Sequence, residues 1–389
     1  MVQMVRQGLS PRMVARHFHV SLHTVQRWVL RAQGQRLDRV DWTDHSHKPQ
    51  RTRRISTASE NRVLQARKQL QQSPLGEVGA GAIHRFLQDD KEFVVPSVRT
   101  INRVLGRHGV LDGRVRSRRP PPPQGWYLPD LAAKAAELDT FDVVEGLYLP
   151  KGKEVQILTG LSLHGHFAAS WPHYSIVADT ILEALLMHWR AIGLPGYAQF
   201  DNDTRFQGPH NFPDTLGRVV RLCLALDVVP VFAPPRETGF QAAIESFNGL
   251  WQKKVWLRFL PASLGALRKR SSNYIGASHL RHQQSIQSAP PRRPFPAAWQ
   301  LNLQKRPQGR MVFVRRTNDH GQIEVLGHTL LVDAHWTHRL VRAEVHFQEA
   351  KIRMFSLRRS QPAAQPQLNE HAYQFPERPF RETSSRNYE

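Results

Sequence analysis

Between residues 136 and 259 the chain reads strand, strand, strand, helix, strand, helix, strand, helix, and few architectures accept that order. The segments AELDTFDVVEGL (136–147) and VQILTGLSL (155–163) are strand-like, and a His164-Gly165 turn joins the second to HFAASW (166–171). A helix over about 179–192 follows, carrying Ile181, Leu182, Leu185, Leu186 and Trp189 on its apolar positions. YAQFDND (197–203), a helix near 214–226, the strand VVPVFA (228–233) and a long helix from about Gly239 to Phe259 complete the series. Three strands in succession followed by alternation predict an α/β sandwich on a mixed sheet.

The regions on either side differ from this centre in charge. The chain carries a formal +22 over 389 residues. Residues 1–130 hold a net +13, 131–260 a net −2 and 261–389 a net +11. Basic flanks around an acid-bearing centre suit a protein that grips a polyanion and needs carboxylates in its middle. One cysteine, Cys223, excludes a disulfide framework, a thiol zinc site and an iron–sulfur cluster. No apolar run reaches the roughly 18 residues of a membrane span, and the N-terminus reads as a polar amphipathic helix, not a signal peptide.

Helical periodicity organises the first flank. Met1 to Gly8 reads as the tail of a helix, Ser10 caps a second with Pro11 at its first position, and Ser21 caps a third running to about Ala32. Met13, Val14 and Phe18 form the apolar face of the second helix; Leu22, Val25, Trp28 and Val29 form that of the third. His23, Thr24, Gln26, Arg27 and Arg31 remain on the opposite face, so residues 1–34 predict a helix-turn-helix that binds DNA through His23, Gln26, Arg27 and Arg31. A basic linker, 35–56, offers Lys48, Arg51, Arg53 and Arg54 to phosphates. Residues 57–119 predict a second helix-turn-helix, with Val98, Ile101, Val104 and Leu105 inward and Arg99, Thr100, Arg103 and Arg107 facing DNA. A Pro-rich linker spans 120–135. Beyond the central region, 136–285, five short strands within 286–360 predict a small β-barrel, and the Pro-, Gln- and Asn-rich tail 361–389 predicts disorder. The fold class is multidomain: all-α modules, an α/β core and a small β-barrel.

Chemistry concentrates in three carboxylates of the centre: Asp139 in ELDTFD, Asp201 in QFDND and Glu245 in GFQAAIESFN. With the first and fourth strands as neighbours and the last helix packed across their ends, the three converge. Such a cluster needs cations, and hard oxygen ligands suit two magnesium or manganese ions that clamp a phosphodiester. Asp142 is the other candidate for the first position; in a strand 139 and 142 face opposite sides, so only one of them serves.

The block FDNDTRF (200–206) resembles the Asp-Asn-Gly-x-x-Phe block of the DDE insertion-sequence transposases in the retroviral integrase superfamily. APPRETGFQAAIESFN (233–248) is similar to the start of that family's last catalytic helix. The resemblance covers roughly residues 5–360 and implies a ribonuclease H-like catalytic core. It also implies metal-binding catalytic roles for Asp139, Asp201 and Glu245, with Asn248 on the active-site side. Asp139 aligns better than Asp142. Arg205, Lys253 and Lys254 become candidate phosphate contacts. The implied activity is transposition: binding of double-stranded DNA at terminal inverted repeats, metal-dependent cleavage, and strand transfer into target DNA by a homo-oligomeric synaptic complex. The implied setting is a bacterial cytoplasm, at the nucleoid.

Two departures stand out. Asp203 replaces the family's Gly, and 43 residues separate Asp201 from Glu245, more than is usual, with the surplus expected in 207–220. Both favour the alternative of a catalytically inactive, domesticated transposase that only binds DNA; the three retained carboxylates oppose it.

Overall fold

The structure is a computed structural model that describes residues 1–43, 54–90, 92–111, 124–150, 152–209, 212–237 and 239–380. Lys48, Arg51 and Arg53 of the basic linker lie outside the described residues. Residues 1–59 and 60–389 form two compact units.

In the first unit, helices α1 (Val2–Arg6), α2 (Pro11–His17) and α3 (Leu22–Arg31) are followed by a 3-10 turn at Leu37–Arg39. The caps form as the serines predict: Ser10 Oγ accepts from Met13 N at 3.3 Å and Ser21 Oγ from Thr24 N at 3.1 Å. Val14, Ala15 and Val25 seal the small core, with Met4, Val5, Leu9, Leu22 and Val29 around them. Met13 and Phe18, expected inside, are exposed, because three short helices enclose only one layer of side chains.

The second unit begins with three helices and continues into the sheet. Helix α4 (Thr57–Gln72) starts at the junction of the two units and is joined by α5 (Ala80–Gln88) and α6 (Val98–Arg107). Ile83, Leu87, Ile101, Val104 and Leu105 are fully buried here, whereas Val98 is exposed. Arg67 ties the three helices together, donating to Val78 O at 2.6 Å and Val110 O at 2.8 Å. The loop after α4 is bound to the central region: Lys254 Nζ donates to Gly76 O at 2.7 Å, and Arg258 donates to Ser73 O and Gln71 O at 2.8 and 2.7 Å. These three carbonyls belong to the end of α4 and its exit, where orphaned acceptors favour cations.

A short helix α7 (Pro129–Ala132) leads into strands β1 (Leu138–Tyr148), β2 (Glu154–Ser162) and β3 (Ala168–His173). After them come α8 (Ala178–Ile192), β4 (Tyr197–Phe200), α9 (Thr204–Gln207), α10 (Arg218–Ala225) and β5 (Val229–Phe232). The order is the predicted one, with α9 added. Strands β1, β2 and β3 pair antiparallel, while β4 runs parallel to both β1 and β5. The mixed α/β sheet with flanking helices is consistent with the ribonuclease H-like expectation. Helix α11 (Ala242–Trp251) then passes through a π-helical turn at Gln252–Trp256 into α12 (Leu257–Phe259), followed by α13 (Leu264–Arg281) and α14 (Gln283–Gln287).

The C-terminal strands correct the barrel expectation. They are β6 (Arg310–Arg316), β7 (Gln322–Val325), β8 (His328–Leu331), β9 (Leu340–His346), β10 (Lys351–Ser356) and β11 (Gln367–Ala372). Strand β6 pairs in parallel with β5, through Val231↔Val312 and Phe232↔Phe313. One nine-stranded sheet results, ordered β11-β10-β9-β6-β5-β4-β1-β2-β3, with β7 and β8 as a separate hairpin. The reason is burial on both faces of β6. Phe313 stacks on Phe232 at 5.3 Å on one side, while Val312 and Val314 join Val231 on the other. An open edge on β5 would leave its ladder and this apolar surface wet. Strand β11 pairs with β10 across residues 367–372, inside the segment expected to be disordered.

Candidate active site

The carboxylates are positioned by aromatic anchors and by strand ends. In FDNDTRF, Phe200 and Phe206 are fully buried and stack at 5.0 Å, with Phe141 of β1 stacked on Phe200 at 5.8 Å. This stack pins both ends of the loop that carries Asp201, Asn202 and Asp203. In α11 the buried residues Ile244, Phe247, Asn248 and Trp251 form an i, i+3, i+4, i+7 stripe against the sheet, and Glu245 is exposed beside it.

Asp139 and Asp142 have opposite fates. Asp139 is completely buried, and both of its oxygens are consumed. Oδ1 accepts from Ser162 Oγ at 2.7 Å and Arg292 Nη2 at 2.6 Å; Oδ2 accepts from Trp189 Nε1 at 3.1 Å and Arg292 Nη1 at 3.0 Å. Burial by itself would raise its pKa, but the Arg292 ion pair, helped by His188 and Ser162, carries it below the ordinary range. His188, held down to about 4 by its own burial, is neutral at pH 7, so its 3.9 Å approach to Asp139 is no ion pair. The structure thus places Asp139, expected to be the first metal ligand, inside the core with both oxygens held by core partners.

Asp142 faces the other side of β1. Its Oδ2 accepts from Asn248 Nδ2 of α11 at 2.7 Å and its Oδ1 from Val143 N at 2.9 Å. Burial first, and then the Asp201 carboxylate, push its pKa up to about 6, with Glu245 adding to the rise. Asp201 is raised as well, by burial and by the charges of Asp203 and Glu145, against the opposing Asp203 N–H and Arg205. Two raised carboxylates, Asp142 lifted in part by the charge of Asp201 and with Glu245 in electrostatic reach, form a region of excess negative charge. Among the described residues, no three His, Cys, Asp or Glu side chains stand close enough together to hold an ion as a set. The donor chemistry fits a hard divalent cation at Asp142 and Asp201, while Glu245 stands off on the exposed side of its helix.

Several site residues escaped the sequence reading. Arg315 of β6 donates to Asn202 Oδ1 at 2.9 Å and to Ala233 O at 3.3 Å, and Asn202 Nδ2 donates to Ala233 O at 2.7 Å. Burial lowers the Arg315 pKa to about 10. The Asn-Asp loop is thus held from the C-terminal strands, by a residue more than a hundred positions away whose only signal was a cation in an apolar run. Arg292 had the same weakness, sitting in a segment that reads as a linker. Asp203 caps α9 and pairs with Arg205. The surplus segment leaves at Gly208 and returns at Gly217, which approach so closely that a Cβ on either would lie 2.6 Å from the other's backbone nitrogen.

The DNA-facing candidates are distributed as follows. His23, Gln26 and Arg27 are exposed on α3, and Arg31 is half-buried. Arg27 and Arg31 stand over the Trp28 ring at 5.3 and 5.1 Å, and Arg31 lies 3.7 Å from Asp41. Arg54, Arg99 and Arg103 are exposed; Arg107 is also exposed and pairs with Glu60. Lys254 is committed to Gly76, while Lys253 is exposed. No helix among the described residues is long and apolar enough to cross a membrane.

Comparison with known proteins adds distant likenesses of fold. No family model matches the chain, and no curated protein matches it. Among solved structures, the chain is similar to the simian T-cell lymphotropic virus intasome in complex with a PP2A regulatory subunit, at 14% identity, over 72% of this chain and 88% of that one, with a TM-score of 0.34. It is also similar to the HTLV-2 integrase catalytic core domain in complex with magnesium, at 14% identity over 39% and 86% of the two chains, TM-score 0.26. The BIV integrase catalytic core matches at 13% identity over 39% and 96%, TM-score 0.30.

Proposed function

We propose that this chain is a DDE-type DNA transposase or integrase, a polynucleotidyl transferase that cleaves DNA ends and joins them to a target. The observation that carries the reading is the electrostatic coupling of Asp142, within β1, to Asp201, just past the end of β4, with α11 supplying Asn248 to Asp142 and the charge of Glu245. On this reading Asp142, Asp201 and Glu245 hold the divalent ions, magnesium or manganese, and Asp139 does not. The ions would supply charge stabilisation at the phosphodiester and activation of water. The protein's part is to fix the carboxylates: Asn248 orients Asp142, the Asp203 N–H orients Asp201, and Arg315 holds Asn202. Glu245, exposed on the helix that also carries Asn248, would supply the third carboxylate.

The two helical modules supply DNA recognition, with α3 and α6 as reading helices and the basic linker as a phosphate contact. The partners are element ends and target DNA, engaged by more than one copy of the chain. One observation favours the rival, a protein that binds ends without cutting: Glu245 does not stand with the other two carboxylates. Labelled duplexes bearing the inverted repeats that flank the coding region decide between them. Wild type should bind and, in magnesium, nick them; Asp142→Asn, Asp201→Asn and Glu245→Gln should bind and not cut. Wild-type binding without cutting at any magnesium or manganese concentration would establish the rival.

A further inference from the structure

The parallel ladder between β1 and β4 ends too early to set the distance between Asp142 and Asp201. Its registered pairs are Leu138↔Tyr197, Asp139↔Ala198 and Thr140↔Gln199, so both carboxylates lie past the last one. Something else must hold the two chain segments together there. Arg205 does so. Its guanidinium forks onto Asp203, Nε to Oδ1 at 2.9 Å and Nη2 to Oδ2 at 2.6 Å, and its Nη1 reaches Glu145 Oε1 on β1 at 2.8 Å. Glu145 is aimed by a bulge in β1 between Val144 and Leu147 and is steadied by Gln156 Nε2 at 3.2 Å. The same Asp203 Oδ1 also accepts from the backbone Arg205 N at 2.7 Å.

We propose that Arg205, gripped by Asp203 and Glu145, is a positioning residue that sets the spacing of Asp142 and Asp201, and that Asp203 and Glu145 belong to the same device. The inference rests on the metal-site reading above. It gives a reason for Asp203 where the resembling family has Gly: the aspartate makes the bidentate half of the bridge, which a glycine cannot. An ammonium in place of the guanidinium would lack the planar fork that spans both carboxylates.

Charge and position make opposite demands, which gives the test its sign. Removing a cation beside a cluster of carboxylates should, by charge alone, tighten divalent-ion binding. If Arg205 sets the spacing, its loss weakens that binding. Manganese affinity is measured by isothermal titration on the full chain for Arg205→Met, Arg205→Lys, Glu145→Gln and the double variant Arg205→Met/Glu145→Gln, with thermal melts as the check on folding. Expected are a roughly tenfold weakening for Arg205→Met, a smaller one for Arg205→Lys, and a double variant no worse than the poorer single. Unchanged or tighter manganese binding in folded Arg205→Met, or effects of the two singles that add fully, would overturn the proposal while leaving the metal-site reading intact. Glu145 is exposed, so Glu145→Gln carries the test if Arg205→Met does not fold; there, unchanged affinity overturns it. A wild-type chain that binds no manganese and cuts no DNA would remove the reading and this inference together.

Discussion

Asp139 and Asp142 sit three residues apart on one strand and titrate in opposite directions, so substitutions at the two positions separate folding from chemistry. Asp139→Asn strands the Arg292 guanidinium in the core, and losing one partner of a buried pair costs about 3–5 kcal/mol. Denaturant titration should show that loss even where metal-dependent cutting survives in the folded fraction. Asp142→Asn should behave in the reverse way, abolishing cutting without destabilising the fold. The pH dependence follows from the same contrast. The folded pKa of Asp139 is depressed, so its stabilisation is present at neutral pH and disappears as pH falls through that value. The folded pKa of Asp142 is raised to about 6, so its ionisation opposes folding above that pH and is relieved as pH falls toward 4. Without divalent ions, Asp142→Asn should therefore be more stable than wild type at pH 8, by roughly 1–3 kcal/mol, and nearly equal to it at pH 4. Equal stabilities at pH 8 in chelator would show that Asp142 is not electrostatically strained.

At the scale of elements, each module commits one face to packing, and the proposed function assigns the other to DNA. Helix α6 buries Ile101, Val104 and Leu105 and exposes Arg99 and Arg103. Helix α3 buries Val25 and stands two arginines over Trp28. Arg103→Ala and Arg27→Ala should each lose about 1–3 kcal/mol on the cognate end and little on random duplex, since base contacts carry sequence information and phosphate contacts do not. Footprints of the two variants should weaken over different base pairs. A shared footprint would mean that the modules do not read separate segments. The grip of Lys254 and Arg258 on residues 71–76 holds the second module in the same compact unit as the central strands. The π-helical turn at Gln252–Trp256 shifts the helical phase between Glu245 and these two cations.

For the whole molecule, the continuous sheet makes the C-terminal region part of the core. Strand β6 covers the edge of β5, Arg315 reaches back to Asn202, and Arg292 neutralises Asp139. A chain ended at residue 289 would lose all three at once, exposing Phe232 and Val231 beside an open strand edge. Such a fragment should be insoluble or should melt without a cooperative transition. A cooperative melt within a few degrees of the intact chain would show that the central sheet stands without β6, β9, β10 and β11.

The order and type of the central elements, the serine caps of the helices and the regions that hold the acids were all legible in the sequence, because periodicity and capping act over a few neighbouring residues. Both aspartates of β1 were visible, along with the rule that they face opposite sides. Which side faced Asp201 was not, since that depends on where Arg292, 150 residues downstream, places its charge. A strand near 311–317 was legible as one of five short strands, yet only the pairing with β5 determined that it extends the sheet and closes no barrel of its own. Long-range ion pairs and sheet edges are chosen by what must be neutralised or covered once the core has formed, and local sequence carries no record of that choice.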